Sequence, residues 1–299
     1  MRDKDEIICL GFGGARFHVI SQYYPTGGIV LRMNGVQAHL DPGPSAALYT
    51  QLVELDLTRT QVIFVTHRHT DHVNDVPIVI EAMHRGNLRS KEGVLLAPAD
   101  YINHLDSFYK KLLAKAVPMQ PGDTHVIRGS PNIHVQATQA VHDPYIPTIG
   151  FKIYAGDYCL GYTSDTEIYP EFADVYQDCD ILICNLLRPD NHHCDRHMDT
   201  DELLPALEDL RTRTIHVLKA VLLYHLGASM GSDRVQPVIL EQVQKIKDRI
   251  HCPVVPCQFG LRMSVASLLD GIEPKYAIFS LKEKLLGFLK QSNYFLDDA

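Results

Sequence analysis

Three imidazoles and one carboxylate stand within six residues in the stretch Thr66-His67-Arg68-His69-Thr70-Asp71-His72. A neutral imidazole offers a nitrogen lone pair and an ionised carboxylate offers oxygen, a donor set suited to Zn²⁺ or a similar first-row ion. One tetrahedral ion cannot use all four donors at this density, so the spacing points to two metals. His67 and His69 can point together from an extended or turning backbone, whereas Asp71 and His72 belong to the next turn and can face a second ion. The plain alternative is a polar loop with surface histidines. It is disfavoured because the run directly follows the apolar stretch Gln61-Val62-Ile63-Phe64-Val65, and because it is far denser than a lone His-x-His.

These donors need rigid elements behind them. Gln61 to Val65 reads as a strand buried on both faces, and a strand end is where open α/β sheets place their chemistry. Three further polar residues follow strand-like runs in the same way: His142 after Ile133 to Thr138, Asp165 after Tyr158 to Thr163, and His225 after Ala220-Val221-Leu222-Leu223-Tyr224. His197 is placed differently. It precedes Asp199-Thr200-Asp201-Glu202, which reads as a capping box, and a helix carrying Leu203, Leu204, Leu207 and Leu210. The neighbouring His192, His193 and Cys194 read as a polar loop, and His18 and His39 as structural or surface residues.

Ile7 to Leu10 opens the chain as a strand, followed by Gly11-Phe12-Gly13-Gly14. Arg16 occupies the place of the third glycine of Gly-x-Gly-x-x-Gly, so dinucleotide binding is not supported. Gly27 to Met33 and Val36 to Leu40 form a hairpin about Asn34-Gly35, a pair that favours a type I′ turn. Ser45 is positioned to cap a helix running to about Leu55, and Asn74 or Asp75 one that carries Val76, Ile80 and Met83. Asn103 to Ala116 has the spacing of one amphipathic helix. A long helix through Val235 and Ile250 leads to a closing strand at Val254-Val255.

The chain has 299 residues, 45% of them hydrophobic and 21% charged, a composition that can bury a large core in one domain. The expected organisation is a single domain over residues 1–299, with its core at about 7–260 and a helical tail over 261–299. Leu281, Leu285, Leu286 and Leu289 would pack that tail on the domain or on a second subunit, making a homodimer. A net charge of −8 gives no general attraction to nucleic acid or to anionic membranes. No run of 18 apolar residues is present, and the acidic N-terminus lacks a signal's basic region. Seven cysteines, none in a Cys-x-x-Cys pair, suit a reducing cytoplasm.

The central motif resembles the Thr-His-x-His-x-Asp-His signature of the metallo-β-lactamase-fold hydrolases. The Asp41-Pro42-Gly43 turn resembles that family too, and so does the order in which His142, Asp165 and His225 follow; the usual His-Phe-Ser is His-Leu-Gly here. The resemblance implies an α/β fold, a four-layered αββα sandwich of two mixed sheets with helices outside. It also implies a ligand set, with His67, His69 and His142 on one ion, Asp71, His72 and His225 on another, and Asp165 on both. The ions would be Zn²⁺, with Mn²⁺ or Fe²⁺ as alternatives. His197 resembles the catalytic histidine of the ribonuclease Z and cyclic-phosphodiesterase branch.

The activity expected from this resemblance is a dinuclear phosphodiesterase in which a metal-bound hydroxide attacks phosphorus, with Asp71 and His197 as catalytic residues. No glycine- and proline-rich arm of the tRNA-clamping kind is present, which favours a small or single-stranded phosphodiester substrate over tRNA. A lactone or thioester hydrolase of the same fold is the alternative, and a non-catalytic binding module comes third.

Overall fold

Aliphatic and β-branched runs with no polar alternation become strands covered on both faces, whereas alternating runs keep one face in water. The computed structural model describes residues 4–85, 93–129, 131–213, 217–231 and 238–275. In chain order the strands are β1 (Glu6–Gly11), β2 (Thr26–Met33), β3 (Val36–Leu40), β4 (Thr60–Phe64), β5 (Val94–Ala97), β6 (Lys115–Pro118) and β7 (Thr124–Ile127). There follow β8 (Ile133–Gln139), β9 (Ile149–Ala155), β10 (Tyr158–Tyr162), β11 (Ile181–Asn185), β12 (Ala220–Tyr224), β13 (Val254–Pro256) and β14 (Arg262–Ser264).

Among the described residues these strands make two seven-stranded sheets, β14-β1-β2-β3-β4-β5-β6 and β13-β12-β11-β10-β9-β8-β7. Both sheets are mixed. The hairpin strands are antiparallel, and β3 through β6 and β10 through β13 run parallel, joined by helices. The sheets face one another across one core, in which Phe64 of β4 meets Phe151 of β9 with ring centroids 5.1 Å apart. A second core, built from Ile63, Val65, Ile80 and Leu95, lies between the first sheet and helix Val76–His84. This is the αββα sandwich.

Several local expectations hold for physical reasons. Asn34 and Gly35 both have positive φ, 49° and 80°, as a type I′ turn demands. Asp199 Oδ1 accepts from the Glu202 amide at 3.0 Å and Glu202 Oε2 accepts from the Asp199 amide at 3.4 Å, closing the capping box on helix Thr200–Arg213.

Others change. The amphipathic span from Asn103 to Ala116 is two short helices, Ala99–His104 and Ser107–Leu112, and Ala116 lies in β6. Leu105 turns extended, the Asp106 carboxylate accepts from the Phe108 amide at 2.7 Å to start a new helix, and Phe108 ends 51% exposed. Ser45 precedes helix Ala46–Leu52 in a left-handed conformation without a side-chain cap, and the helix ends before Leu55. Arg262–Ser264, placed by sequence in a helical tail, pairs antiparallel with β1, and a short helix Val265–Leu269 follows. The tail leucines at 281 to 289, and Val235 of the long helix, lie outside the described residues.

Candidate active site

The expected donors converge at one rim of the sandwich, where strands end. The loop after β4 delivers His67, His69, Asp71 and His72, the last two on a single turn, Thr70–Val73. His142 follows β8, Asp165 follows β10 and His225 follows β12. His67 Nε2 and His69 Nδ1 are 2.8 Å apart, and His142 Nε2 is 3.2 Å from the same His69 nitrogen. His225 Nε2 lies 3.3 Å from Asp71 Oδ2. Between these groups stands Asp165, whose Oδ2 is 3.1 Å from His225 Nε2, 3.3 Å from His72 Nε2 and 3.8 Å from the Nε2 atoms of His67 and His142. His67, His69 and His142 form one set of donor atoms mutually within 4.8 Å, and Asp71, His72 and His225 form another.

Outer contacts fix which ring nitrogens point inward. Asp41, wholly buried at the end of β3, accepts from the Thr66 amide (2.8 Å), the Thr66 hydroxyl (2.7 Å), His72 Nδ1 (2.9 Å) and the Tyr162 hydroxyl (2.9 Å). Because the Thr66 hydroxyl spends its proton on Asp41, it can only accept from His67 Nδ1 at 3.1 Å. His142 Nδ1 likewise donates to the Arg196 carbonyl at 2.9 Å. His67, His72 and His142 thereby keep Nε2 for the cluster, an arrangement that orients metal-binding imidazoles. His225 is placed by sterics instead: a Cβ on Gly14 would stand 2.2 Å from its Nδ1.

The electrostatics match this wiring. Burial, followed by the charge on His72, lowers His67 well below the ordinary imidazole range, and burial followed by His142 lowers His69. For His72, burial opposes protonation, but Asp165, Asp71 and Asp41 outweigh it and raise its pKa well above the usual value. Burial would raise Asp165 and Asp71; instead His225 and His72 hold Asp165 well below the carboxylate range, and His72 and His225 lower Asp71. The buried His72 imidazole and the buried Asp71 and Asp165 carboxylates thus favour one another's charged forms.

A metal ion would take over that task. His72 Nε2 lies near Asp165 Oδ2 but outside hydrogen-bonding alignment, and it and Asp165 Oδ1 are buried polar atoms without hydrogen-bond partners. Such atoms cost roughly 1–3 kcal/mol each unless something binds them. The nitrogen and oxygen donors present thus fit divalent first-row ions.

His197 stands closer to the cluster than a helix start alone implies. Its Nδ1 is 4.0 Å from Asp165 Oδ2, its ring stacks on His225 with centroids 5.1 Å apart, and it groups with His142 and Asp165 as a further set of possible donors. Nδ1 also lies 3.4 Å from Asn185 Nδ2, which can donate to it. Burial is the main cause that lowers its pKa to about 3. Elsewhere His18 and His39 are fully buried, with His39 Nε2 2.9 Å from the Gly27 carbonyl, and His193 pairs on the surface with Glu202 and Asp199.

Sequence reasoning met Asp41 only as part of a turn resembling the family's and gave it, Asn185 and Gly14 no role in the site. Asp41 left a signal, since it follows a strand exactly as the donors do. The other two left none, because their partners are more than ten residues away. The site opens into a cavity of about 520 Å³ lined on one side by Arg16, Val19 and Ile20, and on the other by Asp143, Arg196 and His197.

Fold and donor cluster together define a metallohydrolase of the β-lactamase fold. Residues 38–224 match the beta-lactamase superfamily domain, and the chain belongs to that superfamily. It is similar to the uncharacterized protein MJ1374 of Methanocaldococcus jannaschii, 28% identical over 276 residues that cover 89% of this chain and 96% of that protein. A shorter likeness, 25% over 132 residues, relates 42% of this chain to 41% of a ribonuclease Z of Kineococcus radiotolerans. Among solved structures, the metallo-beta-lactamase fold protein YhfI of Bacillus subtilis superposes with a TM-score of 0.70 at 16% identity, covering 87% of this chain and 98% of that one.

Proposed function

We propose that this protein is a phosphodiesterase that binds two divalent ions, zinc foremost with manganese or iron(II) as alternatives, and acts on a small or single-stranded phosphodiester. The carrying observation is His197, held beside an undepleted set of seven donors and facing the cavity. His67, His69 and His142 would hold one ion, Asp71, His72 and His225 the other, and Asp165 both. Bound ions supply Lewis-acid stabilisation of phosphoryl charge and a hydroxide nucleophile at neutral pH.

The chain's own residues do the rest. Asp41, directly at His72 and through Thr66 at His67, turns the Nε2 atoms of both rings inward. Protonated on both ring nitrogens, His197 can give its Nε2 proton to the leaving oxygen and return to the neutral form, in which Nδ1 accepts from Asn185 Nδ2. A phosphodiester in the cavity brings negative charge next to a buried imidazole, which favours its protonated form and opposes the effect of burial. The likeness to a ribonuclease Z supports phosphorus over carbonyl chemistry. The cytoplasmic setting proposed here rests on seven cysteines that are all free; among the described residues no helix is long and apolar enough to cross a membrane.

The test is the relative kcat/KM of metal-loaded protein on bis-p-nitrophenyl phosphate, cyclic nucleotides, short RNA and a lactone and thioester panel. Phosphodiesters should lead. Lactones or thioesters ahead by orders of magnitude would replace this reading with carbonyl hydrolysis.

A further inference from the structure

Two guanidinium groups bracket the donor cluster, one at each end. Arg16 lies on helix Ala15–Ser21, which starts directly after Gly14, the residue packed against the ring of His225. Arg196 belongs to the other end, since its carbonyl accepts from His142 Nδ1 at 2.9 Å and its amide donates to Glu167 Oε2 at 3.2 Å. Both line the same cavity of about 520 Å³.

The two differ in their partners. Arg16 is exposed and has no carboxylate partner among the described residues, and Arg196 has Asp143 at 3.6 Å. Of the other acids at the cavity, Asp71 and Asp165 sit inside the donor cluster, and Asp195 points into solvent with its side chain 91% exposed. The cluster itself is equipped for one phosphoryl group. A phosphodiester monoanion there leaves Arg16 without a counter-charge, and a planar guanidinium is the group best shaped to grip a further phosphate. Beside Arg16 the same wall presents Val19 and Ile20, the latter 85% exposed, an apolar surface of the kind that covers the face of a sugar or base.

We infer that Arg16 is a specificity determinant and that the preferred substrate is a short oligonucleotide carrying a second phosphate one nucleoside away from the scissile bond. The second phosphate binds Arg16, the intervening nucleoside lies on Val19 and Ile20, and Arg196 faces the scissile diester from the His142 end. This rests on the phosphodiesterase reading for the chemistry but not for the binding.

The experiment is calorimetric titration of metal-loaded protein carrying His197→Ala, to stop turnover, with the dinucleotide ApA and with its 5′- and 3′-phosphorylated forms. Because the added contact is a charge-assisted hydrogen bond, one phosphorylated form should bind roughly 10- to 100-fold more tightly than ApA. Adding Arg16→Gln should bring that form down to the level of ApA. Arg59→Gln, exposed before β4 at the opposite end of the sheet, should leave the preference intact. Equal binding of all three ligands, or a preference that survives Arg16→Gln, overturns the inference. A preference abolished by Arg16→Gln in a protein whose His197-containing form cleaves no dinucleotide would uphold the clamp and remove the phosphodiesterase reading instead.

Discussion

The two sheets build the site by different means. The first sheet supplies four donors from one loop after β4, and a buried carboxylate, Asp41 on the neighbouring β3, ties that loop together through Thr66 and His72. The second sheet supplies one donor per strand end, His142, Asp165 and His225, each held by something unrelated: a backbone carbonyl, the surrounding imidazoles, the absent side chain of Gly14. A local loop with one anchor is a unit whose parts fail together. Dispersed donors on rigid parallel strands fail singly, so the contrast makes separate predictions for each half.

The largest effect should come from Asp165, which stands within 4 Å of histidines of both groups. Asp165→Ala should lower metal content from about two ions per chain to one or fewer and abolish hydrolysis, as chelation of the wild type should; elemental analysis of protein purified without chelator decides. Two ions retained in Asp165→Ala would show that Asp165 is dispensable for metal binding. Next is His197→Ala, expected to keep both ions while losing about 10²–10⁴-fold in kcat on poor leaving groups. On p-nitrophenyl esters, whose leaving group hardly needs a proton, the loss should be much smaller. Metal loss in this variant would make His197 a donor, consistent with its grouping with His142 and Asp165.

The anchor of the first sheet comes third. Loss of an outer partner of a metal-binding histidine typically costs about 10–100-fold in metal affinity or activity, and Asp41→Asn should fall in that range. Chelator-competition titration measures it, and thermal melts with and without metal should show a smaller metal-dependent rise than in the wild type. Wild-type affinity in Asp41→Asn would mean that the loop after β4 holds its shape unaided. The smallest effect belongs to Asp199→Ala, which removes the cap of the helix after His197 and should cost about 1 kcal/mol in denaturant unfolding, with kcat little changed.

Legibility follows the same divide. The loop after β4 could be read because its donors lie within six residues, and periodicity showed the strand that carries it. His142, Asp165 and His225 could each be placed at the mouth of a strand, but only the family resemblance joined them, since nothing in local sequence says that β8, β10 and β12 end at one rim. Where sequence reading failed on elements, either a short polar side chain or pairing within the sheet decided the outcome. Asp106 restarted a helix in the middle of an amphipathic pattern, and tertiary pairing drew 115–118 and 262–264 into edge strands against local preference.

The sequence by itself determined the donor types, the strands that bear them and the turn at Asn34-Gly35, because side-chain chemistry and backbone propensity are local properties. Tertiary structure alone decided which ring nitrogen of His67, His72 and His142 faces inward, since that depends on Asp41 reaching Thr66 and His72 from another strand and on the Arg196 carbonyl reaching His142 from a distant loop. It also decided the charge of the site. A carboxylate and an imidazole have ordinary proton affinities in a flexible chain, and only burial beside one another, at 3.1 to 3.8 Å around Asp165, separates them so far.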